Sequence, residues 1–295
     1  MIHFGTGGWR AIIADGFTKA NVQLLAKALS VLMKTEDVAS KGICIGYDRR
    51  FLSKEAAQWS AEVFAAESVP CYMIDREAPT PLIMFAVKNM KLPFGMAVTA
   101  SHNPAIYNGV KVFTAGGCDA KASVTERIER YAAMVGDAPI SVIEYDEALA
   151  RGLITLINPF NEYIDSILSL VDLDAIKKMR LRIALDPMYG VSQTSLRTIL
   201  LTARCEVEVI HKRRDTLFGG RLPSPSAQTL TALRNFVVEN RFDLGIATDG
   251  DADRLGVIDD KGNFVSPNTL LVLLYYYLMK YRGWRGPVVR NNSTT

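Results

Sequence analysis

The sequence predicts an α/β fold built from two or more successive domains, and three observations lead to this prediction. The chain has 295 residues, which is long for one ordinary domain. Helical and strand signals alternate through its first half, and a similar rhythm restarts after Gly136-Asp137-Ala138-Pro139, although the halves show no clear sequence repeat. Because helices alternating with apolar strands pack as helices on sheets, we expect α/β layers in both halves.

The first half alternates predicted helices with predicted strands. Apolar residues at helical spacing predict a helix over 21–34, with Thr18 as its N-cap. Ser53 is expected to cap the next helix, and Thr80-Pro81 to open a third. A fourth helix is expected around 121–134. The predicted strands are 42–47, 69–75, 94–99 and 109–113.

The second half begins after a segment, residues 141 to 158, that has the character of a connection. The predicted helices start at Asn158-Pro159, at 191 and at Ser226. The predicted strands are 181–185, 205–210, 243–247 and 255–258, and the last leads into a hairpin turn at Asp260-Lys261-Gly262-Asn263. We therefore assign domain 1 to residues 1–146 and domain 2 to residues 147–262.

The remaining residues, 263–295, are expected to begin a third domain. They contain an apolar helix at 270–279, which Asn268 and Thr269 could cap, and a strand at 287–290. We expect this helix to be buried in a core. Because a segment of about 30 residues cannot form a core of its own, the chain is expected to be truncated or to dock its tail elsewhere.

The composition excludes several classes of protein. A net charge of +3 with scattered basic residues argues against a nucleic-acid face. The apolar run at 270–279 is shorter than the roughly 20 residues that span a bilayer, so no membrane partner is expected. The N-terminus lacks the layout of a signal peptide. Without a CxxC pair, the four cysteines predict reduced thiols in a cytoplasmic protein.

Three aspartates at alternate positions, Asp249, Asp251 and Asp253, follow a predicted strand. Alternate side chains of an extended segment share one face, and each pair of carboxylates about 4 Å apart repels by about 4 kcal/mol at an effective dielectric of 20. Oxygen ligands without Cys or His favour Mg²⁺ or Ca²⁺. The alternatives are a solvated acidic turn and an EF-hand, although the latter needs Gly where Arg254 stands.

A short motif, Thr99-Ala100-Ser101-His102-Asn103-Pro104, follows the buried strand at 94–99. Because Pro104 forbids simple helical continuation, Ser101 is expected in a tight loop, where its hydroxyl could be a nucleophile or a phosphate carrier. A serine hydrolase is disfavoured, since there is no G-x-S-x-G elbow and the side chain of His102 is expected to diverge from that of Ser101. The alternative is a turn serine that bonds its own backbone.

These motifs together resemble the α-D-phosphohexomutase family, which includes phosphoglucomutases and phosphomannomutases. The segments that carry the resemblance are Gly5-Thr6-Gly7-Gly8-Trp9-Arg10, the serine loop with Asn108-Gly109 and Lys111 after it, and Asp249 to Arg254. The family more often has Ser or Asp where Gly7 stands. The resemblance implies consecutive mixed-sheet α/β/α domains of the phosphohexomutase type, with a third domain that is truncated here.

The resemblance also implies a role for each residue. Ser101 would be phosphorylated, and its phosphate with Asp249, Asp251 and Asp253 would hold Mg²⁺. Lys111 would be the general acid or base, and Arg10 and His102 would assist the phosphoryl group. The residues implied to bind substrate are Thr6, Asn103, Asn108 and Arg254.

The implied reaction moves a phosphoryl group between C1 and C6 of a hexose phosphate through a hexose 1,6-bisphosphate. In the family, the sugar-reading loop and the distal phosphate-binding loop belong to domains 3 and 4. We therefore expect this fragment to have little or no mutase activity, and its helix at 270–279 to drive self-association. The alternatives are a non-catalytic module that binds phosphosugar or Mg²⁺, and a Ca²⁺ sensor.

Overall fold

The computed structural model of the protein describes residues 2–5 and 7–289, which form two α/β layer systems in succession. The strands of the first sheet are β1 (Phe4–Gly5), β2 (Gly8–Ile12), β3 (Ile43–Tyr47), β4 (Cys71–Ile74), β5 (Phe94–Val98), β6 (Tyr107–Thr114), β7 (Cys118–Asp119) and β8 (Ile154–Ile157). Their order across the sheet is β1-β2-β6-β5-β3-β4-β8, with β7 paired to β6. The helices of this half are α1 (Lys19–Thr35), α2 (Ser53–Ala66), α3 (Thr80–Asn89), α4 (Ala122–Val135) and α5 (Tyr145–Ala150).

The centre of the first sheet is apolar on both faces, which is why helices cover both. Every residue of β3 and β5 is buried. Side chains of β3 alternate between two cores, with Ile43 and Ile45 on the face of α1 and α2, and Cys44 on the face of α3. Strands β3, β4 and β5 run parallel, whereas β6 is antiparallel to β5. The loops that follow β3, β4 and β5 therefore leave the same edge of the sheet.

The second sheet repeats this plan on a smaller scale. Its strands are β9 (Arg182–Asp186), β10 (Glu206–Val209), β11 (Leu244–Thr248), β12 (Leu255–Asp259) and β13 (Phe264–Val265), in the order β10-β9-β11-β12-β13. The helices are α6 (Phe160–Leu170), α7 (Leu173–Met179), α8 (Ser192–Thr202) and α9 (Thr231–Asn240). Strands β9, β10 and β11 are parallel, and β12 returns antiparallel to β11. The predicted class, mixed α/β sheets covered by helices, is confirmed.

The segment between the two sheets differs from the predicted connection at 141–158. It contains α5 and β8, and β8 pairs in parallel with β4, so the first sheet extends to Ile157. Position 146, where domain 1 was predicted to end, lies within α5. The domain limits at 146 and 262 stay predictions.

The ends of three helices test the predicted caps. The side chain of Thr18 accepts a hydrogen bond from the amide of Asn21, as predicted for the N-cap of α1. The prediction for Ser53 is wrong: Leu52 occupies the N-cap of α2, and the Ser53 hydroxyl donates to Asp48 instead. Helix α9 begins at Thr231, five residues after the predicted start, because Ser226 and Thr229 first close a hydrogen-bonded turn.

The C-terminal part of the described chain holds α10 (Pro267–Lys280), whose N-cap is Ser266 rather than Asn268 or Thr269. The expectation of a buried helix is wrong, because no residue of α10 is buried and Leu271 to Tyr276 are all at least 45% exposed. Residues 287–289 are irregular, and the predicted strand end at Arg290 lies outside the described residues. Within the described ranges, no helix combines the length and apolar character needed to cross a membrane.

Candidate active site

The serine loop and the acidic loop meet between the two sheets. Ser101 follows β5 at the carboxyl edge of the first sheet, and Asp249 follows β11 at the carboxyl edge of the second. The Ser101 hydroxyl donates a hydrogen bond of 2.7 Å to Oδ2 of Asp249. Two residues 148 positions apart in the sequence are therefore in direct contact, and both are buried.

The serine loop has a left-handed turn at its centre. Ser101 has a φ of 51°, and its amide donates to Oγ1 of Thr99 at 2.8 Å. This backbone conformation brings Nδ1 of His102 to 3.4 Å from the Ser101 hydroxyl. The expected divergence of these two side chains is thus wrong, because it assumed an extended loop.

The acidic loop joins the antiparallel strands β11 and β12, so its flanks are those of a hairpin and not of an EF-hand. The ligand oxygens of Asp249, Asp251 and Asp253 lie within 4.8 Å of one another. The first two side chains are buried and the third is 30% exposed. Oδ1 of Asp249 accepts hydrogen bonds from the amides of Asp253 and Arg254, both at 3.1 Å, which fixes the curl of the loop.

Two side chains from the first sheet system bind the acidic loop. Lys111 on β6 extends its ammonium to Asp251 at 2.7 Å and to Asp253 at 2.5 Å. Thr80, at the start of α3, donates its hydroxyl to Oδ2 of Asp251 at 2.7 Å, and its amide donates to the Asp251 carbonyl. The acidic loop is therefore held by the first domain as well as by its own hairpin.

The shared burial of these charges shifts their pKa values in opposite directions. Burial, and then repulsion from Asp251 and Asp253, raises the pKa of Asp249 to about 8. Burial opposes ionisation of Asp251 as well, but the Lys111 ammonium outweighs it and lowers the pKa of that carboxyl. Burial also disfavours the Lys111 ammonium, yet its two carboxylate partners raise its pKa above the usual value. Lys111 therefore carries its proton at neutral pH.

Three further predicted residues surround this centre. Arg10 on β2 donates from Nη1 to Oδ1 of Asn103 at 2.8 Å, and its buried Nε has no hydrogen-bond partner among the described residues. The half-exposed guanidinium of Arg254 lies 3.9 Å from Oδ2 of Asp249. Burial, and then the charges of Arg254 and Arg10, lower the pKa of His102, so its imidazole is neutral at pH 7.

Two predicted substrate-binding residues have different outcomes. Asn108 is completely buried, and its amide donates to the Phe51 carbonyl and to Ser53 Oγ while its Oδ1 accepts from the amide of Gly109. A side chain enclosed and satisfied in this way braces the loops that surround it, and its role in substrate binding stays a prediction. Thr6 lies outside the described residues.

The acidic cluster fits a divalent cation that prefers oxygen ligands. Oxygens bound at about 2.1 Å in an octahedral site lie roughly 3 to 4 Å apart, close to the spread of these carboxylates. Oδ1 of Asp251 is buried and has no hydrogen-bond partner among the described residues. Such an oxygen, enclosed beside two other carboxylates, is what a cation would satisfy. The group can therefore hold a metal ion.

Two family models match most of the chain. The model described as "Phosphoglucomutase/phosphomannomutase, alpha/beta/alpha domain I" matches residues 1–136, and the model for domain II of the same family matches residues 161–262. The chain belongs to the phosphoglucomutase/phosphomannomutase family. The family resemblance stated from the sequence motifs is thereby confirmed.

Individual relatives are named as mutases, a kind of isomerase. The chain is 29% identical over 276 residues to a phosphoglucosamine/phosphogalactosamine mutase of Sulfurisphaera tokodaii, covering 93% of this chain and 58% of the relative. It is 31% identical over 274 residues to a probable phosphoglucosamine mutase of Methanothermobacter thermautotrophicus, covering 92% and 57%. A crystal structure of a putative phosphomannomutase from Thermus thermophilus superposes with a TM-score of 0.89 at 29% identity, covering 100% and 65%. The chain thus spans less than two thirds of each.

Proposed function

We propose that this chain carries the phosphoryl-transferring part of a phosphohexomutase. The observation that carries the proposal is the contact between the Ser101 hydroxyl and Asp249, which joins a loop of one domain to an acidic cluster of the next. A serine that only closed its own turn would not need a carboxylate from another sheet. Relatives named for glucosamine, galactosamine and mannose phosphates support a hexose or hexosamine phosphate as substrate.

In this proposal, Ser101 carries the phosphoryl group, gives it to the sugar phosphate and receives the other phosphoryl group back from the hexose 1,6-bisphosphate. Lys111, which holds its proton beside Asp251 and Asp253, is suited to donate it to the departing serine or sugar oxygen. Neutral His102, at 3.4 Å from the hydroxyl, is suited to orient it. Arg10, anchored by Asn103, and Arg254 supply positive charge around the phosphoryl oxygens.

The charges of the site support Mg²⁺ as its cofactor. A phosphoserine brings roughly −1.5 to −2, and with all three aspartates ionised, as ligands of a cation must be, the total is about −5 at one buried point. Asp249, Asp251, Asp253 and the Ser101 oxygen would hold the ion. When bound, Mg²⁺ would offset this charge and polarise the phosphoryl group.

The experiment that tests the proposal is phosphorylation of the chain itself. Incubation with glucose 1,6-bisphosphate and Mg²⁺ is expected to add one phosphoryl group, read by intact mass and located by peptide mapping at Ser101. Ser101→Ala should take up none. Ser60→Ala is the matched control, because Ser60 is also buried but only bonds the carbonyl of Ala56 within its own helix.

We expect Ser101 to gain its phosphoryl group without appreciable turnover of hexose phosphate. In the family, the loops that bind the sugar and the distal phosphate lie outside the matched segments. A chain that binds Mg²⁺ and hexose phosphate but takes up no phosphate would instead be a non-catalytic binding module. Uptake that survives in Ser101→Ala would contradict the role given to the serine loop.

A further inference from the structure

A completely buried arginine, Arg50, holds the serine loop by its backbone. The Arg50 side chain has no exposed surface. Its two terminal nitrogens donate to four main-chain carbonyls, those of Ser101 at 2.6 Å, Asn103 at 2.7 Å, Pro104 at 2.9 Å and Tyr107 at 3.0 Å. Three of these carbonyls belong to the loop and the fourth to the first residue of β6, so the interaction fixes the path of the loop into that strand; it depends on the planar fork of a guanidinium.

The carboxylate paired with this arginine holds the same serine from the other side. Asp48 is also buried, and its Oδ2 lies 3.4 Å from Nε of Arg50. The same oxygen accepts the hydroxyl hydrogen of Thr99 at 2.7 Å, and Oγ1 of Thr99 in turn accepts the amide hydrogen of Ser101 at 2.8 Å. Both main-chain polar groups of Ser101 are thus tied to one ion pair, its carbonyl directly and its amide through Thr99.

The second domain covers this ion pair. The ring of Phe218 lies 4.8 Å from the guanidinium carbon of Arg50, a cation–π contact across the domains. Phe218 also packs against Gly250, at which a Cβ would lie 2.8 Å from the Ser101 carbonyl oxygen. The guanidinium therefore lies where the serine loop, the acidic loop and Phe218 meet.

The arrangement addresses a specific problem of this site. A left-handed conformation is costly for a residue other than glycine. A phosphoryl group on Ser101 would in addition be repelled by the nearby carboxylates of Asp249 and Asp251. A loop held only by its own turn could relax away from them, whereas a loop fixed at four carbonyls and one amide keeps its serine facing the acidic cluster.

We propose that Arg50 is a positioning residue for phosphoryl transfer at Ser101, acting together with Asp48 and Thr99. It touches no reacting atom; it holds the backbone of the residue that reacts. This inference rests on the proposed function, because it concerns the rate at which Ser101 gains its phosphoryl group.

The test compares two substitutions of Thr99, which is buried and close to isosteric with Val. Thr99→Val removes the hydroxyl that links Asp48 to the Ser101 amide, and Thr99→Ser keeps it. The first-order rate of Ser101 phosphorylation by saturating glucose 1,6-bisphosphate is expected to fall about tenfold in Thr99→Val, the effect of one lost hydrogen bond. The bisphosphate concentration giving half the maximal rate should stay unchanged, and Thr99→Ser should restore the rate.

Arg50→Lys supplies the second comparison, since an ammonium keeps the charge but cannot reproduce the fork. A fall of about a hundredfold in the same rate is expected, the scale of effect that a misplaced reactive group produces. If wild-type protein gains phosphate and either Thr99→Val or Arg50→Lys matches its rate, the inference is overturned and the proposed function stands. If wild-type protein gains none, the proposed function fails and the inference fails with it. A loss of rate in Thr99→Val that Thr99→Ser does not restore also overturns it, because only packing would then be at work.

Discussion

Adding one methyl group at Gly250 tests the contact between the serine loop and the acidic loop most sharply. Its Cβ would lie 2.8 Å from the carbonyl oxygen of Ser101 and 3.5 Å from the ring of Phe218. The φ of Gly250 is outside the left-handed region, so the methyl acts through its volume alone. The Ser101 carbonyl cannot retreat freely, because it also accepts a hydrogen bond of 2.6 Å from Arg50.

The size of the effect follows from that distance. An ordinary carbon–oxygen contact is about 3.4 Å, so the loops must separate by roughly half an ångström, and overpacking of this kind costs about 1–3 kcal/mol. In a chain of this size each kcal/mol lowers Tm by about 2–4 °C, which gives an expected fall of roughly 2–12 °C for Gly250→Ala. Because the displacement acts on the residues proposed to hold the ion, Mg²⁺ affinity should fall about tenfold or more.

Thermal melts and calorimetric Mg²⁺ titrations measure both quantities. Gly5→Ala is the matched control for the melts: its φ is also ordinary, and its added Cβ meets only the Gly8 carbonyl oxygen at 3.9 Å. Its Tm should stay within about 2 °C of wild type. If Gly250→Ala melts like Gly5→Ala and binds Mg²⁺ with the wild-type affinity, the two loops do not pack as described.

Three other predictions concern the charges of the site and the exposed helix. Lys111→Met leaves the buried Asp251 carboxylate without its ammonium partner, so in the absence of metal the free energy of unfolding should fall by about 3–5 kcal/mol. Mg²⁺ should then raise the Tm of the variant more than that of wild type, and equal rises in Tm in differential scanning fluorimetry would contradict this prediction. Since the pKa of Asp249 is raised to about 8, Mg²⁺ must displace a proton below that pH, so Mg²⁺ affinity should fall about fivefold from pH 8 to 7 and about tenfold from pH 7 to 6; an affinity that calorimetric titrations find equal at the three pH values would be incompatible with this prediction. Leu274→Glu on α10 should reduce self-association in sedimentation velocity, whereas Met134→Glu, at an exposed site on another helix, should not; a wild-type chain that is monomeric throughout would refute the prediction.

The sequence sufficed for the fold class and for the members of the acidic cluster because both depend on short-range patterns. Alternating apolar segments predict helices on sheets wherever their partners lie. The spacing of Asp249, Asp251 and Asp253 already places them on one turn, and the structure adds only that their oxygens converge.

The supporting contacts could not be predicted because they join distant segments. Thr80 reads as the start of a helix, and nothing local indicates that its hydroxyl binds a carboxylate 171 positions later. In the sequence Asp48-Arg49-Arg50, nothing local separates a buried arginine from an exposed one; the structure shows Arg50 buried and Arg49 paired with Glu77. Burial of Asn108 likewise depends on loops that surround it from elsewhere in the chain.

The exposure of α10 marks a different limit of sequence reasoning. Its apolar composition correctly indicates a helix that favours burial, but burial also requires a covering surface, and none of the described residues provides it.

The segment 141–158 is predicted as a connection, but it contains a strand, because its sequence pattern is incomplete without its partner. Strand β8 is exposed at two of its four residues, so its pattern resembles a loop until it pairs with β4.

The central claim is that Ser101 and the three aspartates form one metal-binding phosphoryl-transfer site across two domains. A crystal of this chain soaked with Mn²⁺, which accepts the same oxygen ligands as Mg²⁺, tests it most directly through the anomalous signal. The claim predicts a single strong peak among the carboxylates of Asp249, Asp251 and Asp253, within reach of the Ser101 oxygen. A peak elsewhere, or carboxylates that remain bound only to Lys111 at saturating Mn²⁺, would contradict it.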